Sequence, residues 1–223
     1  MPAEHSWLTH RIIKFMVRCR SFFLFLGMDE FSLLKKFVSQ FVTFNEEEWR
    51  YHQSILTRRF IKKGEYILRE GEVCDHVTFI NSGYFRIYNT VKEEDLTVNF
   101  SFEGNYITDY VSFVSRQPSI DNMVAMEDAE ILQLQYTDLM TAYEKYPVWQ
   151  KFGRKMAEYI LVFVVTRNKA LLYNSPEERY LRLMKERPKV MERVPLQYIA
   201  SYLGIQPESL SRIRKRLATG KGA

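Results

Sequence analysis

Between Thr57 and Gln135 the chain breaks into short runs of β-branched and aromatic residues. They read "RRFIKKGEYILREGE", "HVTFINSGYFRIYNT", "DLTVNFSFEGNYI" and "AEILQLQ". Gly64, Gly71, Gly83 and Gly104 fall between or within them, at intervals that suit turns. Asn81–Gly83, "NSG", marks a tight turn, because glycine accepts a positive φ without steric cost. Many short strands with evenly spaced turns specify a small antiparallel barrel or roll. No other feature restricts the fold as much.

The flanks have helical period. Phe31, Leu34, Val38 and Phe41 recur at three and four residues, and "FNEEEW" then opens a second helix with acids in its first turn. A short helix is expected from Thr137 or Asp138, either of which can cap it. After Pro147 comes a long helix, 147–174. Trp149, Phe152, Met156, Tyr159 or Ile160, Phe163 and then Ala170 lie along one stripe of it, and near Ile160 the apolar residues surround the axis. A helix that is apolar all round is buried on more than one side. The stripe is expected to pack partly on the roll and partly on a second copy of itself, and its near-seven-residue spacing favours a paired helix. Ser175 then caps a new helix with Pro176 in its first position.

The C-terminal run "VPLQYIASYLGIQPESLSRIRKRLATGKG" carries the most specific chemistry. Leu196, Ile199, Ala200 and Leu203 make one apolar face, Gly204 permits a tight turn, and Leu210, Ile213 and Leu217 make the buried face of a second helix. Opposite that face lie Glu208, Ser211, Arg212 and Lys215. Arg212 suits guanine O6 and N7, and Glu208 suits cytosine N4. Arg214, Lys215, Arg216 and Lys221 suit phosphate. An ordinary helical hairpin with a solvated charged face has a similar pattern. The glycine turn, the basic second helix and the preceding long helix together favour duplex DNA.

Charge supports a division of labour. Residues 28–146 carry a net charge of −8 and residues 177–223 carry +6. Four divisions follow: 1–27, a basic aromatic extension; 28–146, a sensor; 147–174, a dimerisation helix; and 175–223, a DNA-binding unit. Met28 is expected to be the true start, so that the intact mass of the native protein would begin there. The extension has no secretory cleavage pattern, and no apolar run approaches membrane-spanning length. The cysteines, Cys19 and Cys74, number too few for a four-thiolate cluster and are expected as free thiols in a reducing cytoplasm. His5, His10, His52 and His76 have no metal-ligand spacing, which disfavours a cupin-type metalloenzyme. No metal and no cofactor are expected. No catalytic constellation stands out, so no enzymatic role is expected either.

From Met28 onward the chain resembles the Crp/Fnr family of bacterial transcription regulators. The resemblance rests on the glycine-spaced strands, on "YITDYVSFVSRQPSIDN" (106–122), on the long helix and on "IASYLGIQPESLSRIRKRL". It implies an α+β fold: an antiparallel cyclic-nucleotide-binding-like β-roll, a dimerising helix and a winged helix-turn-helix. It also implies a homodimer whose partners are double-stranded DNA and RNA polymerase, with an effector the sequence does not identify. The family's recognition helix often reads Ser-Arg-Glu-Thr-Val-x-Arg. The matching run here is Gln206 to Arg212, with Gln206, Glu208, Ser209, Ser211 and Arg212 among the implied DNA contacts, and Lys215 and Arg216 following. Pro207 replaces the usual first arginine, so the target sequence is expected to differ.

The same resemblance gives 106–122 a meaning. Nucleotide-binding members have a phosphate-binding cassette, Gly-Glu followed about ten residues later by Arg-Ser or Arg-Thr. Here those positions read Thr108-Asp109 and Ser119-Ile120, with Tyr110 following the acid. Asp109 keeps an acceptor, one methylene shorter. Ser119 cannot neutralise a phosphate, and a buried anion without a cation keeps its desolvation cost. Arg116 stands three residues early. Tight binding of cAMP or cGMP is therefore not expected. The rival reading is a cyclic-nucleotide-type sensor whose basic helices bind a protein partner in place of DNA.

Overall fold

The computed structural model describes residues 29–219. The expectations for 1–27, including Cys19, and for Lys221 lie outside those residues. Two helices come first, α1 (Ser32–Val38) and α2 (Glu46–Ser54). Asn45 caps α2 by accepting from the Glu48 N–H, while the Glu48 carboxylate accepts from the Asn45 N–H. That reciprocal pair satisfies two donors a helix start otherwise leaves bare.

Eight strands follow among the described residues: β1 (Leu56–Ile61), β2 (Tyr66–Leu68), β3 (His76–Ser82), β4 (Tyr84–Val91), β5 (Glu94–Phe102), β6 (Tyr106–Ile107), β7 (Asn122–Ala125) and β8 (Ala129–Gln135). They form two four-stranded sheets, ordered β1-β8-β3-β6 and β2-β7-β4-β5, and the named pairings are antiparallel. Phe79, Ile80, Phe85, Met123, Ile131 and Leu132 are fully buried between them. Gly83 turns β3 into β4 with φ +88, and a Cβ there would lie 2.7 Å from Ala129 Cβ. Gly83→Ala adds a left-handed alanine to that clash and should cost about 2 kcal/mol. A urea midpoint indistinguishable from wild type would contradict this.

A short helix, α3 (Tyr110–Ser115), interrupts the strands, and α4 (Tyr136–Lys145) ends them. α4 starts one residue before the expected Thr137 cap. Gln135 occupies the cap position without a side-chain bond, because β8 runs straight into the helix. The Tyr136 N–H is already held by the Asp75 carbonyl at 2.7 Å.

Pro147 opens the long helix α5 (Pro147–Tyr173). Its first turns belong to the roll. Trp149 and Phe152 are buried within a single chain, and Met156 packs on the same core. Trp149 meets the rings of His52 at 4.6 Å and Phe44 at 5.4 Å. Trp149 and Phe152 therefore cannot serve the expected dimer contact, because α1, α2 and the roll already remove them from water.

The rest of the chain is helical: α6 (Pro176–Glu186), α7 (Pro188–Arg193), α8 (Leu196–Tyr202) and α9 (Pro207–Ala218). Ser175 caps α6 in a second reciprocal box with Glu178. The expected wing is not formed among the described residues. No strand follows β8 among the described residues. Between α6 and α8, Pro188 opens the short helix α7.

These helices dock on the roll. Tyr84, Phe100 and Phe102 of β4 and β5 share one buried cluster with Tyr180, Leu183, Val190, Ile199, Leu203 and Leu210. α8 covers the free edge of β5, where the Thr97 N–H donates to Ser201 Oγ at 2.8 Å. An uncovered edge strand would invite pairing with other chains. Arg193 pairs with Glu103 at 2.8 Å and also with Glu127, and Lys189 reaches Glu103 at 2.8 Å. Burial pushes the Glu103 carboxyl up, but its bonds to Lys189 and Arg193 hold it below its ordinary value.

Candidate functional site

α8 and α9 meet at Gly204, which takes φ +66, and Ile205 packs beneath the turn, its N–H donating to the Ala200 carbonyl. Leu210 and Ile213 are buried and Leu217 packs beside them, so α9 is held by one face only. Gln206, Glu208, Ser211, Arg212 and Lys215 are exposed. Arg212, Arg214 and Lys215 have no ion-pair partner among the described residues, so three cations stand in water on or beside the outer face of one helix. Two expected contacts are placed differently. Ser209 is half-buried at the edge of that face, and Arg216 is turned back to the Glu177 carboxylate of α6. Arg216 thus spends its charge on tethering α9 to α6.

The stretch 106–122 is knitted into the roll. Thr108 Oγ1 donates to the His76 carbonyl at 3.1 Å. Asp109 caps α3, accepting from Val111 N and Ser112 N at 3.0 and 3.1 Å. Tyr110 and Ile120 are exposed. Ser119 is buried, and its hydroxyl exchanges bonds with the Asp121 backbone. Arg116 ends α3 at φ 59 and donates to the carbonyls of Cys74 and Phe113 at 2.8 and 3.2 Å. Its guanidinium lies 4.1 Å over the Tyr136 ring. That arginine is a structural clamp. Burial first, and then the neighbouring Asp109, push the Asp121 carboxyl up. Asp109 caps a helix, and the arginine of this stretch is bonded within the roll.

Beyond Met156, most apolar side chains of α5 lose the cover of the roll. Tyr159, Leu161, Val162, Phe163, Val164 and Val165 are exposed in the single chain, as are Leu171 and Leu172, while Ile160 is half-buried. Leu161, Val164, Asn168 and Leu171 recur at three, four and three residues, with Val165 and Leu172 beside them. Reading the apolar ring near Ile160 as one stripe with Trp149 missed this second row. The three-and-four spacing was the signal for it.

Among the described residues no helix is long and apolar enough to cross a membrane, and no group of His, Cys, Asp or Glu could hold a metal ion.

Residues 58–146 match the cyclic nucleotide-binding domain family. The chain is similar in structure to the catabolite activator protein of Thermus thermophilus, with 21% identity over 81% of this chain and 87% of that one and a TM-score of 0.52. FixK2 from Bradyrhizobium japonicum matches at 18% identity over 75% and 86%, with a TM-score of 0.65. The c-di-GMP responsive global regulator CLP of Xanthomonas campestris matches at 15% identity over 79% and 93%, with a TM-score of 0.62. No curated protein sequence matches the chain. The structural likenesses show the fold, a cyclic nucleotide-binding jellyroll with flanking helices.

Proposed function

We propose that the chain is a homodimeric DNA-binding transcription regulator whose sensor does not bind cAMP tightly. The observation that carries this reading is the outer face of α9. Glu208, Ser211, Arg212 and Lys215 project from a helix anchored by its opposite side, and the cations are unspent. Unpaired cations on an exposed helix gain by replacing the counterions of a phosphate backbone. A pair of such helices, joined through the exposed row on α5, would enter successive major grooves about 34 Å apart. The structural neighbours are of the same kind: a catabolite activator protein and a global regulator. The sensor half of the proposal rests on Asp109, Arg116 and Ser119 all being engaged within the roll.

The test is fluorescence anisotropy of the full chain against duplex from its own promoter, over a salt series. Affinity should fall steeply with salt, by about 0.9 in the log–log slope for each phosphate contacted. Absence of salt-dependent affinity would favour the rival in which these helices bind a protein. Arg212→Ala should cost about 1–3 kcal/mol at one base position and relax preference there. Unchanged sequence preference would mean that Arg212 does not read a base.

Calorimetric titration with cAMP should give no saturable heat at micromolar nucleotide. A saturable isotherm would mean that Arg116 leaves Tyr136 or that another group pairs the phosphate, and would overturn the sensor half of the proposal while leaving the DNA half intact.

A further inference from the structure

α5, α6 and α8 line a half-open cavity of about 290 Å³, close to the lower end of the range for small-ligand sites. It lies away from the stretch 106–122 and from α9. Its body is apolar, walled by Tyr159, Phe163, Ala170 and Leu183. Its rim is strongly cationic: Arg167, Arg179, Arg182 and Arg187 line it, with a single carboxylate, Glu186.

The arginines differ in how far they are satisfied. Arg182 pairs with Glu186 at 2.9 Å. The other three have no ion-pair partner among the described residues and donate only to neutral acceptors. Arg167 bonds the carbonyls of Val98 and Tyr202 and stacks 4.3 Å over the Tyr202 ring. Arg179 bonds the carbonyls of Leu203 and Asn174 at 3.1 and 2.8 Å. Arg187 bonds Asn99 Oδ1, the Tyr202 hydroxyl and the Phe100 carbonyl. Carbonyl dipoles orient a guanidinium but leave its charge uncompensated. Burial lowers the Arg167 pKa from its ordinary value, and the neighbouring Arg187 adds to that.

We infer that this cavity binds a small organic anion with an apolar body, its carboxylate or equivalent head held by the arginine rim and its body against Tyr159, Phe163 and Ala170. A carboxylate would supply the missing counter-charge through charge-assisted bonds, while the apolar wall favours a hydrocarbon or aromatic tail over a hydrated inorganic ion. A helix turns about 100° per residue, so Tyr159, Phe163 and Ala170 lie on one face of α5 while Leu161, Val165 and Leu172 lie on the opposite one. Leu171, in the exposed row, borders both the cavity and that opposite face, so a small anion and a second copy of the chain would use largely different faces of the helix. The site stands on its own lining and does not depend on what α9 binds.

The experiment uses the full chain with 1-anilinonaphthalene-8-sulfonate as the fluorescent reporter, displaced by octanoate or by 1-octanol. Octanoate should displace the reporter saturably from one site per chain, at least about 10-fold more effectively than the alcohol, which has the same tail and no charge. Arg179→Gln, which removes one of the uncompensated charges of the rim, should weaken octanoate at least about 5-fold while leaving octanol unchanged. Ala170→Phe fills the cavity and should abolish displacement by both. Equal displacement by octanol and octanoate would overturn the inference, as would octanoate affinity indifferent to both substitutions, or no displacement at all. Sedimentation of the ligand-free sample separates the readings: a dimer that fails to bind octanoate sinks this inference and leaves the proposed pairing of α5 untouched.

Discussion

Leu161→Glu should yield a folded monomer whose affinity for duplex is lower than wild type by about 100-fold or more, because two linked reading heads bind far more tightly than one. The fold should survive because Leu161 is 62% exposed in the single chain, so the new carboxylate remains in water there. Across a paired helix it would meet its own copy in an apolar seam, where like charges are desolvated together. Asn168, in the same row, is the type of polar residue that sets register in such seams at some cost in stability. Sedimentation velocity and anisotropy on the same sample check both halves. A variant that remains dimeric would place the contact elsewhere on the chain. A monomer with unchanged DNA affinity would separate pairing from reading.

Acid should destabilise the protein by about 2 kcal/mol between pH 7 and pH 5. The cause is His52. It is fully buried among the rings of Phe44, Trp49 and Trp149, and neither ring nitrogen has a hydrogen-bond partner among the described residues. Desolvation by that burial pushes its pKa down to about 3 from 6.5. Above pH 6.5 the imidazole is neutral whether the chain is folded or not, and stability is unaffected. As pH falls below 6.5, the unfolded chain takes up a proton that the folded chain excludes. Stability then drops by up to about 1.4 kcal/mol per pH unit until the folded pKa is reached. Urea unfolding at pH 7 and pH 5 measures the difference, and His52→Leu should remove most of it. A His52→Leu variant with the same pH dependence as wild type would assign the effect to other groups. Working above pH 5 also avoids the range where Glu103, with its depressed pKa, begins to lose its bonds to Arg193 and Lys189.

Much of the fold was legible because its signals are local. Gly83 and Gly204 mark turns by the positive φ they tolerate, and both adopt it. Ser175-Pro176 and the acids after Asn45 announce helix starts through bonds that span only three residues. The apolar period of α8 and α9 reports which face is buried from spacing alone, and with it which side chains are left in solvent.

What the sequence could not decide depends on which surface each apolar face meets. Trp149 and Leu161 look alike as large apolar residues on one helix. Only the arrival of α1, α2 and the roll over the first turns of α5 makes one a core residue and leaves the other exposed. Arg116 and Arg216 read as free cations until folding brings Tyr136 and Glu177 to them across long stretches of chain. The arginine-rimmed cavity has no linear signature, because its charges come from α5 and α6 and its floor from α8. The sequence by itself determined the strands, the turns, the long helix and which face of α9 is exposed, since each follows from backbone preference or from period. The tertiary structure alone decided which charges are spent on the protein itself and which remain for a partner, since charge pairing depends on distance in space.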